Sequence, residues 1–208
     1  MKKLLPFVIS IFIFSCTQPS IVESTENILD ENLFLSQKIS EYDLKEIDSR
    51  NLTPLDSNFK KLILVPYFQK EFNLDKNYII SFLESYFLSK HERVGNYTPF
   101  TVYTIGDDYE SILYFVIDSN NKVTSSLNLC GGHFAGPYPF NDSLTTWGTE
   151  SVTTITGTVI NKESKTTLVN SIDSEKWKSV DIVKLSYKLI QNGEIEFTKK
   201  DSIRKRIK

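Results

Sequence analysis

From Tyr97 to its end the chain offers β-rich runs separated by turn residues, and no apolar helical spacing interrupts them. Parallel strands need long crossovers, usually helical, whereas antiparallel strands are joined by tight turns. The spacing therefore demands an antiparallel sheet. Pro99–Ile105, rich in Thr, Tyr, Val and Phe, suits a strand, and Gly106-Asp107-Asp108 a turn. Ile112–Ile117 is an unbroken apolar run of strand length, as expected where both faces are covered. After a polar turn at Asp118–Asn121, Val123, Leu127 and Leu129 alternate with Thr124, Ser126 and Asn128, which puts Cys130 on the face opposite Leu127 and Leu129. Val152–Ile160 reads as a strand, Asn161–Ser164 as its turn and Thr166–Ile172 as the return. Asp173–Lys178 connects to a half-buried strand in which Val183, Leu185, Tyr187 and Leu189 alternate with Lys184, Ser186 and Lys188. Asn192-Gly193, both tolerant of positive φ, marks a hairpin back through Ile195 and Phe197.

The first half is less regular. Ile28–Ser49 fits a short helix or an ordered arm. Pro66 demotes Leu62–Tyr67 to an edge strand or a helix end. Asp75 suits a helix cap, and Ile79, Phe82, Leu83, Tyr86 and Phe87 share one helical face. A helix to about Ser85 followed by a strand is the expectation, a strand over Tyr86–Arg93 the alternative. The chain has one alanine, Ala135, which leans it further from helix. The fold class is mainly β, a β-rich α+β domain over residues 28–208. It is a single antiparallel meander sheet, a sandwich or a barrel, with one or two short N-terminal helices.

Lys2 and Lys3 precede the mostly apolar run Leu4–Phe14, which is too short for a bilayer-spanning helix and has the form of a secretory signal. It ends Ile13-Phe14-Ser15-Cys16, which resembles the lipobox of bacterial lipoproteins. That resemblance implies cleavage before Cys16, acylation of its sulfur and a membrane attachment through residues 16–27 as tether. Lysine outnumbers arginine twenty to four, a composition that resembles the AT-rich coding of many Bacteroidota. Without residues 1–15 the chain carries 22 basic against 26 acidic residues, which gives no reason to expect nucleic acid as a partner. Cys130 is then the one remaining thiol, so no internal disulfide forms.

Most chemical motifs are missing: there is no nucleophile elbow, phosphate loop or dinucleotide fingerprint. His91-Glu92 begins like a zinc-protease helix, but Gly95 stands where the second histidine belongs. No metal and no cofactor is called for. Cys130 and His133 could pair as thiolate and imidazole; the expectation is a packed cysteine and a loop histidine. Asp107, Asp108 and Glu110 group oxygen ligands that calcium favours, although Asp is common in turns for its own local bonds. The loop after Cys130 is the most unusual composition, with His133, Phe134, Tyr138 and Phe140, and Trp147 soon after. It is either an exposed aromatic platform for a sugar ring or a plug that closes one end of the sheet, the second being expected. Lys199–Lys208 holds six basic residues, a solvated strand end or a contact for anionic lipid.

These readings give a lipid-anchored cell-envelope protein, on the outer membrane and facing periplasm or surface, with a non-catalytic binding or structural role. Its partners are the membrane, through the anchor, and a glycan or an envelope protein. The alternatives are an envelope hydrolase acting on glycan or lipid, and an immunity or inhibitor lipoprotein. No catalytic residue is assigned.

Overall fold

The computed structural model describes residues 29, 33–34, 39–107, 109–133, 138–140, 143–170 and 177–207; at 109, 132–133, 138–140, 143–148, 168–170, 177 and 206–207 the description is of backbone alone. The chain forms two antiparallel sheets. One runs β2 (Thr53–Pro54), β3 (Glu84–Lys90), β4 (Thr98–Ile105), β5 (Tyr109–Ile117), β6 (Val123–His133). The other runs β1 (Glu41–Asp43), β8 (Ser143–Thr156), β9 (Val159–Asn170), β10 (Trp177–Leu189), β11 (Ile195–Ile207), with β7 (Tyr138–Phe140) beside the start of β8. Neither sheet closes, so the domain is a β-sandwich. A helical layer, α1 (Ser57–Phe59), α2 (Val65–Phe72) and α3 (Lys76–Ser81), covers the free face of the β2–β6 sheet.

β5 explains why its sequence is apolar throughout. Leu113, Phe115 and Ile117 enter the core under the helices, while Ile112, Tyr114 and Val116 enter the core between the sheets. The helix-side core is aromatic: Phe59 and Phe34 meet Phe87 edge-on at 4.7 and 5.1 Å between centroids, and Phe100 stacks on Phe115 at 5.7 Å. The inter-sheet core gathers Tyr42, Leu88, Leu129, Ile155, Ile160 and Leu189. Two buried polar pairs are bonded: Tyr42 Oη and His91 Nε2 share a hydrogen bond at 2.9 Å between the sheets, and Thr104 and Ser111 share one at 2.7 Å on the helix-side face of β4 and β5.

Several local expectations shift. Pro66 does not end a helix or sit in a strand: Ser57–Phe72 is continuously helical, with a π-helical turn over Lys60–Leu64. Val65 N–H reaches back five residues to Lys60 O, and this wider turn accommodates the proline ring and its missing donor. Asp75 caps α3 as expected, its carboxylate accepting from Asn77 N and Tyr78 N. The helix stops at Ser81, however, and Phe82, placed on the buried helical face by spacing, is 72% exposed. The turn expected at Asn161–Ser164 lies earlier, at Gly157-Thr158, and residues 161–164 belong to β9. Gly157 at φ +58° supplies the first position of a two-residue hairpin, a stronger determinant than the polar run after it. The last hairpin has three loop residues, Gln191–Gly193, with Gly193 at φ +80° and Asn192 outside the positive-φ region. Residues 41–51 form an ordered arm whose β1 pairs with β8.

Burial holds the phenols of Tyr42 and Tyr67 up to about 12 and raises that of Tyr114 as well. An unfolded chain ionises its tyrosines near pH 10. This part of the stability is therefore complete below pH 10 and is lost as pH climbs from there towards the folded values. In an alkaline titration, tyrosinate absorbance for these groups should appear together with loss of far-UV circular dichroism. Full ionisation near pH 10 with the circular dichroism unchanged would refute the packing described for them.

Candidate functional site

Three local events open a cleft beside the outer edge of β6. The first is the end of α2, where Asn73 adopts the left-handed conformation (φ 53°) and its N–H bonds Gln69 O. This stop sets Phe72 and Leu74 over one wall. The second is a β-bulge. Ile112 pairs with Cys130 but Leu113 with Asn128, so Leu129 is the extra residue. The bulge resets the alternation, and Cys130 lies in the same inter-sheet core as Leu127 and Leu129 rather than on the opposite face. The third is the early hairpin at Gly157, which makes residues 161–164 part of a strand opposite Ser151–Thr154.

The backbone carbonyls at the bulge are taken by side chains of the other sheet. Thr153 Oγ1 donates to Leu129 O at 2.6 Å, and Lys162 Nζ donates to Asn128 O at 2.9 Å. Thr153 and Lys162 are cross-strand partners on β8 and β9. Above them the rungs continue as hydroxyl pairs, Ser151 with Ser164 and Thr149 with Thr166, each at 3.1 Å. The cleft has a volume of about 420 Å³, within the range of small-molecule sites. Phe72, Leu74 and Gly131 line it together with Glu110, Ser111, Asn128, Lys162 and hydroxyls of β8 and β9. A Cβ at Gly131 would come within 2.9 Å of the Asn128 amide, so glycine there leaves that amide its place.

The polar groups are unevenly satisfied. Burial lowers the Lys162 pKa. Asn128 Oδ1 is buried without a hydrogen-bond partner. Glu110 accepts a hydrogen bond from Tyr103 Oη, and burial, with the carboxylate's help, raises that phenol's pKa. A larger groove of about 580 Å³ runs between α2 and the first half of β6, but its charges, Lys70 and Glu71, lie on exposed helix surface and bond each other at 3.3 Å. The cleft, with its desolvated charge and orphaned amide oxygen, is the better candidate.

Cys16 and Phe134 fall outside the described residues. His133 ends β6 opposite Tyr109, Tyr138 and Phe140 pair along β7 with Thr145 and Ser143, and Trp147 pairs with Leu168, two residues before the cleft-lining Thr149. Cys130 is fully buried, donates to Tyr42 O at 3.0 Å, and burial pushes its thiol up to about 11. It is protonated at neutral pH and serves packing. Of the acidic group, Asp107 accepts from Tyr78 Oη at 3.2 Å while Glu110 turns to Tyr103; Asp108 lies outside the described residues. His91 is buried against Tyr42 and Tyr114. Among the described residues no three His, Cys, Asp or Glu side chains come together as a metal would require.

Comparison with known protein families, with characterised proteins and with solved structures finds no match to this chain.

Proposed function

We propose that the protein is a lipid-anchored cell-envelope binding protein whose sandwich holds a small polar ligand in the cleft between β6, β8 and β9. The anchor rests on the signal segment and on Cys16, placed as in a lipobox. The binding role rests on one observation above the others: a cleft of about 420 Å³ is lined by the half-buried Lys162 and by Asn128, whose amide oxygen has no bond. Binding is favoured over catalysis because the hydroxyls lining the cleft bond one another rather than a base, so none is activated as a nucleophile.

Two measurements test the two halves. In a bacterial host the full chain should incorporate labelled palmitate, and Cys16→Ala should abolish it; retained label would remove the anchor. For binding, the purified protein is screened by thermal shift against mono- and oligosaccharides, their acidic forms and peptidoglycan fragments. A ligand of the native state raises the melting temperature in a saturable way, by RT ln(1 + [L]/Kd) in free energy. A saturable rise that Gly131→Val removes is the expected result. A rise untouched by that substitution would place binding elsewhere.

A further inference from the structure

We infer that the cleft takes a carboxylated sugar, with its carboxylate on Lys162, its hydroxyls on Asn128 Oδ1 and Glu110, and its ring against Phe72. The inference rests on the reading of the cleft as a binding site and adds the chemistry of the ligand.

Charge comes first. An ammonium carries three donors, and Lys162 uses one on Asn128 O. No carboxylate among the described residues is in ion-pair contact with it, and none appears among the charges that act on it. A cation withdrawn from water is costly unless an opposite charge or further hydrogen bonds replace its hydration. A ligand carboxylate supplies both.

Hydroxyls come second. The side chain of Asn128 ends in a buried oxygen with nothing to accept from, and its own backbone carbonyl is the one that Lys162 holds. Lys162 and Asn128 both line the cleft. A group placed there must present an acceptor to Lys162 and a donor to Asn128. A carboxylate with a neighbouring hydroxyl does so; a simple carboxylate does not. Glu110 adds a second acceptor on the lining. Each hydroxyl pair, Ser151 with Ser164 and Thr149 with Thr166, uses one O–H between its members and leaves the other free to donate.

The apolar wall comes third. Phe72 is 48% exposed at the end of α2 and lines the same cleft with Leu74. An aromatic face beside hydrogen-bonding groups suits a pyranose, which has an apolar C–H face and a polar rim. The volume of about 420 Å³ accommodates one such ring with room to spare.

The test uses the full chain and three probes: glucuronate, its uncharged amide glucuronamide, and hexanoate, which has the charge without the hydroxyls. Calorimetric titration should show glucuronate binding at least tenfold tighter than either of the others. Lys162→Met should weaken glucuronate at least tenfold and abolish its advantage over glucuronamide. The unliganded variant should keep a melting temperature near that of the wild type, since relief of the half-buried charge offsets the lost bond to Asn128 O, so weaker binding is not unfolding. If Lys162→Met does not fold, Lys162→Gln serves the same comparison. Equal binding of glucuronate and glucuronamide, or undiminished glucuronate binding by the variant, overturns the carboxylate while leaving the cleft a binding site. Hexanoate binding as tightly as glucuronate overturns the sugar. Failure of all three probes to bind overturns this inference and, if the saccharide screen is also blank, the binding role with it.

Discussion

Phe115→Ala should destabilise the domain by about 3–5 kcal/mol, the range for removing a buried aromatic ring. The ring is fully buried at the middle of β5, stacked on Phe100 at 5.7 Å and met edge-on by Tyr67 at 5.5 Å. It therefore joins two strands of one sheet to the helix that crosses them, and truncation leaves a cavity that rigid neighbours on both sides cannot fill. A loss of this size is a large share of the ~5–15 kcal/mol that holds a typical domain folded. It should lower the denaturant midpoint strongly, whereas Ile203→Ala, at a 51% exposed position on β11, should change stability by no more than about 0.5 kcal/mol. Similar midpoints for the two variants would contradict the helix-side core.

Gly193→Ala should cost about 2–4 kcal/mol, from two separable sources. The residue sits at φ +80°, where an L side chain is strained, and a Cβ there would clash with the ring of Tyr97. Gly157 isolates the first source: it is at φ +58° with nothing within 4 Å of an added Cβ. Gly157→Ala should therefore show the conformational cost alone, about 1–2 kcal/mol. The difference between the two variants measures the contact that locks the β10–β11 hairpin onto the Tyr97 turn, and equal losses would deny it. Thr124 Oγ1 donating to Gly193 O at 3.1 Å ties the same turn to β6.

Much of this architecture is legible in the residues. Alternation alone locates β10, and the unbroken apolar run at Ile112–Ile117 correctly implies cover on both faces. Whether the sheet closes is not legible, since strand order depends on pairings between distant residues. The candidate site is less legible still, for a specific reason. Asn161–Ser164 has the composition of a turn, yet Gly157 turns the chain first and carries Lys162 and Ser164 into the middle of the sandwich. The bulge at Leu129 has the same effect on β6: a period of two cannot announce an inserted residue, and the insertion is what turns Cys130 inward and gives the carbonyls of Asn128 and Leu129 to Lys162 and Thr153. Gly157 was the available signal for the first, and the Gly131-Gly132 pair beside Asn128 marks the second. Phe72 and Leu74 reach the cleft only because Asn73 ends the helix in a left-handed turn.

The central claim is that the space between β6, β8 and β9 is a ligand site. Backbone amide NMR of the labelled protein, titrated with glucuronate, tests it most directly. Saturable shifts should concentrate at Asn128, Gly131, Thr149, Ser151, Lys162 and Ser164 and be absent from the outward charged rung Glu163–Lys184. Shifts confined to that outer face, or a spectrum that does not respond, would contradict it.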